Sequence, residues 1–85
     1  MTLIHPTAFV SCSAIIGKGT VVEPHAIINA NCKVGEGGII SVGSIVDHDS
    51  CIGYFSHINA GAICMAGSNV KALTKVNAGV IIKGF

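Results

Sequence analysis

The stretch Val46-Asp47-His48-Asp49-Ser50-Cys51-Ile52-Gly53-Tyr54-Phe55-Ser56-His57 gathers both acids of the C-terminal half, two of the chain's four histidines and two of its aromatic rings. A histidine titrating near neutrality can take a proton from an attacking hydroxyl or amine. A carboxylate beside it favours the protonated imidazole and so raises its basicity. His48, with Asp47 and Asp49 on either side, has that composition, and a solvated corner with two acids for solubility has it too. His57 has the residue type either of a hydrogen-bond donor to a ligand or of a plain interface histidine. The other reactive side chains point less clearly to chemistry. Cysteines stand at 12, 32, 51 and 64 with no Cys-x-x-Cys, a usage that reads as reduced thiols of a cytoplasmic protein. Cys64 reads as a small core residue rather than a nucleophile. His5, His25, His48 and His57 raise the question of zinc, but no closely spaced pair with flanking ligands occurs, and no metal is expected. A phosphate-binding loop of the GxxxxGK[ST] type is also missing.

The elements that must hold these residues are written in a period of six. From Ile4 in steps of six come Ile4, Val10, Ile16, Val22, Ile28, Val34, Ile40, Val46, Ile52, Ile58, Cys64, Val70, Val76 and Ile82. Thirteen of these fourteen are Ile or Val, against 22 such residues in 85 overall. Four places after each of the first twelve lies a small residue, from Ala8 and Ala14 through Ser44, Ser50 and Ser56 to Ser68 and Thr74; Val80 alone departs. Neither the helical period of 3.6 nor a strand period of 2 sustained along a whole chain gives this pattern. Short extended segments separated by regular corners do, with each segment burying one branched and one small side chain. His48 then sits at a corner and His57 in the middle of a face.

The residue before each core position faces outward, and a further period of eighteen sorts these into three faces. One carries Phe9, Ile27, Ile45, Ile63 and Ile81, apolar at every level. The second carries Ile15, Lys33, Cys51 and Asn69, and the third Val21, Ile39, His57 and Lys75. Five large apolar residues in one outer ladder mark an interface, and a cyclic homo-oligomer is the economical way to cover them.

Composition closes off several classes. The chain is 51% hydrophobic and 11% charged with a net charge of +1, too apolar for disorder. Five lysines and no arginine against four acids leave no electrostatic footprint for nucleic acid. Apolar runs are too short for a membrane span, and Met1-Thr2-Leu3-Ile4-His5-Pro6 lacks the basic start and apolar stretch of a signal peptide.

The pattern [Ile/Val]-x-x-x-[small]-x resembles the hexapeptide repeat of left-handed parallel β-helices. The resemblance implies an all-β, left-handed parallel β-helix, with three hexads to a triangular coil. Residues 1–85 would form a single domain of about four to five coils. The left hand is implied by the resemblance alone, since the general rule for parallel crossovers gives the opposite. Within the repeat, DHDSCIGYFSHINAGA resembles bacterial sugar O- and N-acetyltransferases of the sialic-acid and bacillosamine type. That family has an acid, His, a second acid, Cys, Ile-Gly, Phe-Ser-His and Gly-Ala in this order. Leu3 to Ala8 and Val22 to Ala30 are similar to it as well.

That resemblance implies an acetyl-CoA-dependent, trimeric acetyltransferase acting directly, without an acyl-enzyme, on an amino or hydroxyl group of a sugar or sugar nucleotide. It assigns the general base to His48, the basicity-raising acid to Asp49 and a contact with acetyl-CoA to His57. Further backbone contacts fall at Ala66 and Gly67, where an N–H would face the oxyanion, and at Ala78 and Gly79. The family's glycine falls at 66, where this chain has Ala66. Family members usually carry an α/β domain before the β-helix and several coils after it. The expectation for these 85 residues is therefore a truncated product, a fragment or a minimal subunit, with a non-catalytic trimerisation scaffold as the alternative. His48 and His57 lie half a coil apart, on the order of 15 Å at ~3.3 Å per extended residue. If both serve one site, they come from neighbouring subunits.

Overall fold

The computed structural model describes residues 2–84. Among these, regular structure consists of fourteen two-residue strands, numbered along the chain and sorted into three parallel sheets. Sheet A stacks β1 (Leu3–Ile4), β4 (Val21–Val22), β7 (Ile39–Ile40), β10 (His57–Ile58) and β13 (Lys75–Val76). Sheet B stacks β2 (Phe9–Val10), β5 (Ile27–Ile28), β8 (Ile45–Val46), β11 (Ile63–Cys64) and β14 (Ile81–Ile82). Sheet C stacks β3 (Ile15–Ile16), β6 (Lys33–Val34), β9 (Cys51–Ile52) and β12 (Asn69–Val70). Every strand pairs with the one three places on, residue for residue at a step of eighteen: Ile27 with Ile45, His57 with Lys75, Lys33 with Cys51. The result is an all-β solenoid of about four turns, and the three outward ladders read from the sequence are its three faces.

The core is the inward column. Ile28, Ile40, Val46, Ile58 and Cys64 are completely buried, and Val22, Val34, Ile52, Val70 and Val76 nearly so. Each such side chain contributes roughly 1.5–3 kcal/mol relative to exposure. The column is less uniform than the repeat suggests. Ile4 is 47% exposed, and Val10, Ile16 and Ile82 are only partly buried. These belong to the first and last turns, where one of the two stacking neighbours is missing. The small residues before each strand line the inner side of the corners. Where they are Ser or Thr, the buried hydroxyl finds a carbonyl: Thr20 donates to Gly35 O at 3.1 Å, Ser50 to Met65 O at 3.1 Å and Ser56 to Lys71 O at 2.9 Å. No buried side-chain polar atom among the described residues lacks a partner, so the hydrogen bonds offset the cost of taking these hydroxyls out of water.

Each corner turns through two residues, and from Gly19 onward the second lies in the left-handed region of backbone space. Gly43 holds it at φ +66°, and Asp49 at φ +60°. The second corner residue usually donates its N–H to the carbonyl of the first corner residue one turn earlier, as Gly67 does to His48 O at 3.0 Å and Gly79 to Ala60 O at 3.1 Å. A different constraint acts at Gly17, Gly35 and Gly53, which stack at a step of eighteen. A Cβ on Gly53 would lie 2.3 Å from the Ala72 nitrogen of the next turn, and one on Gly35 would lie 2.6 Å from the Tyr54 nitrogen. Here glycine is required by the closeness of successive turns.

These two constraints predict different costs. Gly43→Ala meets open space and should lose only about 1–2 kcal/mol, the penalty of an L-residue in the left-handed region. Gly53→Ala must push backbone apart and should lose about 3 kcal/mol. Urea unfolding of the two variants measures both, and equal losses would contradict the packing argument.

Candidate active site

His48 and Asp49 form the corner between β8 and β9, at the edge where sheets B and C meet. Their side chains touch: His48 Nδ1 lies 2.9 Å from Asp49 Oδ2, with both side chains 49% exposed. A carboxylate offers only acceptors, so Nδ1 carries the hydrogen and Nε2 is the basic nitrogen of the neutral ring. Asp49 reaches this position because its backbone adopts the left-handed conformation, which Asp tolerates better than most residues, and its N–H is fixed to Ala30 O at 2.9 Å.

Asp47, the other flanking acid, does a separate job. Its Oδ1 accepts the His48 backbone N–H at 2.8 Å and the Asn29 side-chain amide at 3.1 Å from one turn below. The first of these, more than any other influence, holds the Asp47 carboxyl below the ordinary aspartate value; slight desolvation works against it, and Asn29 assists. Neither the clamp nor the role of Asn29 was evident from residue types. The signal was available in the spacing, since Asn29 and Asp47 lie one turn apart at equivalent places.

Directly above His48 and Asp49, at a step of eighteen, stand Ala66 and Gly67. The Gly67 N–H is spent on His48 O. Of the two corner amides, the Ala66 N–H is the one with no acceptor among the described residues, and a residue with a Cβ at this position leaves that N–H in place. Ala78 and Gly79 occupy a different edge, between sheets A and B, where Gly79 likewise donates to Ala60 O. His57 stands in the middle of sheet A, half-buried between Ile39 and Lys75. Its Nε2 lies 2.9 Å from Ser41 Oγ, a partner the sequence reading did not anticipate.

The expected site residues therefore fall into two groups. One is the B–C edge, with His48, Asp49, Ala66 and Gly67, and the other is face A and the A–B edge, with His57, Ala78 and Gly79. Face B separates them, and it is the ladder of Phe9, Ile27, Ile45, Ile63 and Ile81, with Phe9 54% and Ile81 57% exposed at its two ends. Face C carries a groove of about 540 Å³ lined by Ile15, Lys33, Cys51, Tyr54, Phe55 and the close-stacked glycines; none of the expected site residues lines it. Among the described residues no group of three or more His, Cys, Asp or Glu converges as a metal site, and no helix is long and apolar enough to cross a membrane.

The acetyltransferase domain of PglB from Neisseria gonorrhoeae superposes on this chain with a TM-score of 0.86 at 31% identity, over 99% of this chain and 50% of that one. The fold is that of the hexapeptide-repeat acetyltransferases. A second solved structure of the PglB domain, in complex with acetyl coenzyme A, matches this hexapeptide β-helix with a TM-score of 0.67 at 29% identity, over 95% of this chain and 50% of that one. Perosamine N-acetyltransferase from Caulobacter crescentus, in complex with CoA and GDP-perosamine, matches with a TM-score of 0.69 at 25% identity, over 98% and 49% of the two chains. The β-helix described here thus spans about half the length of these relatives. No protein-family model matches the chain, and no curated protein does.

Two outcomes follow. Burial pushes the Cys64 thiol up to about 11 and raises Cys32 as well. In the native protein at about pH 8 a thiol reagent should therefore label Cys12 and Cys51, which are exposed, and reach Cys32 and Cys64 only after denaturation; rapid labelling of all four would contradict it. The depressed Asp47 carboxyl stabilises the fold above the unfolded aspartate pKa of ~3.9, and that stability is lost as pH falls through the lower folded value. The stability difference between wild type and Asp47→Asn should therefore be full near neutrality and shrink below about pH 4 in urea titrations. A difference independent of pH would show that the charge is not what stabilises.

Proposed function

We propose that this β-helix is the acetyl-transferring unit of a homotrimeric enzyme that moves an acetyl group from acetyl-CoA to an amino or hydroxyl group of a sugar or sugar nucleotide. The observation that carries the reading is the His48–Asp49 pair at 2.9 Å, standing one turn below the Ala66 N–H, which has no acceptor among the described residues. A proton acceptor and an oxyanion donor are the two groups that direct acyl transfer needs beside the thioester carbon. The kinship in fold with sugar N-acetyltransferases crystallised with CoA or acetyl coenzyme A supports the donor and favours a sugar amine as the acceptor.

In this mechanism His48 Nε2 takes the proton of the attacking amine or hydroxyl as the new bond to the acetyl carbon forms. Asp49 holds Nδ1–H and stabilises the imidazolium. The Ala66 N–H faces the oxyanion of the tetrahedral intermediate, whose collapse breaks the carbon–sulfur bond and releases the thiol. His48 returns its proton to the leaving sulfur. No side chain is acetylated, and Cys64, fully buried in the core, plays no part. His57, Ala78 and Gly79 contribute from the neighbouring subunit. The apolar face B between the two groups supports this arrangement. When one copy's B face is covered by the next copy in a closed ring, the B–C edge of one subunit meets the A side of another.

The test combines two variants. His48→Ala should lower acetyl transfer by about 10²–10⁴-fold while sedimentation still gives a trimer of the 8.6 kDa chain. Ile45→Asp with Ile63→Asp should yield folded monomers without activity. A fully active His48→Ala, or an active monomer, would overturn the mechanism, and an inactive wild-type trimer would favour a scaffold.

A further inference from the structure

We infer that Ser41 is a positioning residue that sets the tautomer of His57, so that its Nδ1–H is the hydrogen His57 presents outward to a ligand acceptor. The inference deepens the proposed function, since it specifies how the histidine of face A is prepared to meet the donor substrate.

Ser41 follows β7 at the start of a corner, and its backbone is tied at both ends. Its N–H donates to Ile58 O at 2.9 Å, and its carbonyl accepts the Ser44 N–H at 3.1 Å and the Ser44 hydroxyl at 2.7 Å. The residue is 7% exposed, so the hydroxyl has little access to water. Its hydrogen-bond partner is His57 Nε2 at 2.9 Å. A hydroxyl so enclosed needs an acceptor for its hydrogen, and the ring nitrogen is the acceptor in reach. If Nε2–H donated to Ser41 instead, the hydroxyl hydrogen would have no acceptor among the described residues. Ser41 therefore donates, Nε2 is the bare nitrogen, and the neutral ring carries its hydrogen on Nδ1. The backbone of His57 is equally fixed, with its N–H on Thr74 O at 2.9 Å and its register locked between Ile39 and Lys75. Strand β10 and the corner that follows β7 one turn earlier thus hold the ring, and its remaining nitrogen is a donor. A donor is what an amide or thioester carbonyl of an acyl-coenzyme recognises.

The experiment reads the tautomer directly. Long-range proton–nitrogen spectra of the histidine rings would be recorded on the 85-residue chain at about pH 8, above the ordinary imidazole pKa of ~6.5. Wild type should show His57 as the Nδ1–H form. Ser41→Ala should move it toward the Nε2–H form while the backbone amide spectrum stays folded, and Ser41→Thr, which keeps the hydroxyl, should restore Nδ1–H. In steady-state kinetics Ser41→Ala should raise KM for acetyl-CoA about three- to tenfold with kcat nearly unchanged, the loss of one hydrogen bond in binding. His57 as the Nε2–H form in wild type, or as Nδ1–H in both wild type and Ser41→Ala, overturns the role of Ser41. A chain that transfers no acetyl group would overturn the proposed function instead, and the tautomer result would still decide the role of Ser41.

Discussion

Stacking at a fixed step of eighteen residues governs the rest of the structure. Each two-residue strand is too short to be stable by itself, and its hydrogen bonds and its buried side chain both come from the turns above and below. The branched column from Val22 to Val76 enforces the register, because a slip of one residue would bring Ile45, Lys33 or His57 inward and turn Val46, Val34 or Ile58 out to solvent. Once the step is fixed, every residue inherits its neighbours by arithmetic. His48 lies under Ala66, Asn29 under Asp47, and Gly35 under Gly53. The end turns lack a neighbour on one side, so Ile4 remains half in solvent while the same hexad position at Ile40 is sealed.

The His48–Asp49 pair is a by-product of that stacking at one corner. Nearly every corner has a left-handed second residue, and six of them meet the need with glycine, from Gly19 to Gly79. At Asp49 an aspartate takes the strained place and so carries a carboxylate to His48 Nδ1. The asymmetry between the two flanking acids also comes from the corner. Asp47 ends the extended segment and faces the backbone N–H of His48 and Asn29 of the turn below, whereas Asp49 faces the ring. The two acids that flank His48 thus divide into one that fixes the backbone and one that hydrogen-bonds the imidazole.

The architecture was legible because it is periodic: the core column, the three outward ladders and the corner position of His48 all follow from counting in sixes and eighteens. The pairing of His48 with Asp49 rather than Asp47 came from family resemblance, since composition allowed either, and the left-handed corner supplies the physical reason. Ser41 escaped notice because its partner lies sixteen positions away, two residues off the ladder mate of His57, and a serine at a corner is ordinary. The gradual opening of the core toward the ends escaped because a repeat pattern carries no information about where neighbours stop. The engagement of the Gly67 N–H with His48 O depends on hydrogen-bond geometry between turns and has no sequence signature.

Two chemical groups on opposite sides of an apolar face make sense together only if copies of the chain meet across that face. The most direct measurement of this account is a calorimetric titration of acetyl-CoA into the purified 85-residue protein, with sites counted per chain. The account predicts saturable binding near one site per chain in the trimer. A folded trimer that binds no acetyl-CoA would contradict it.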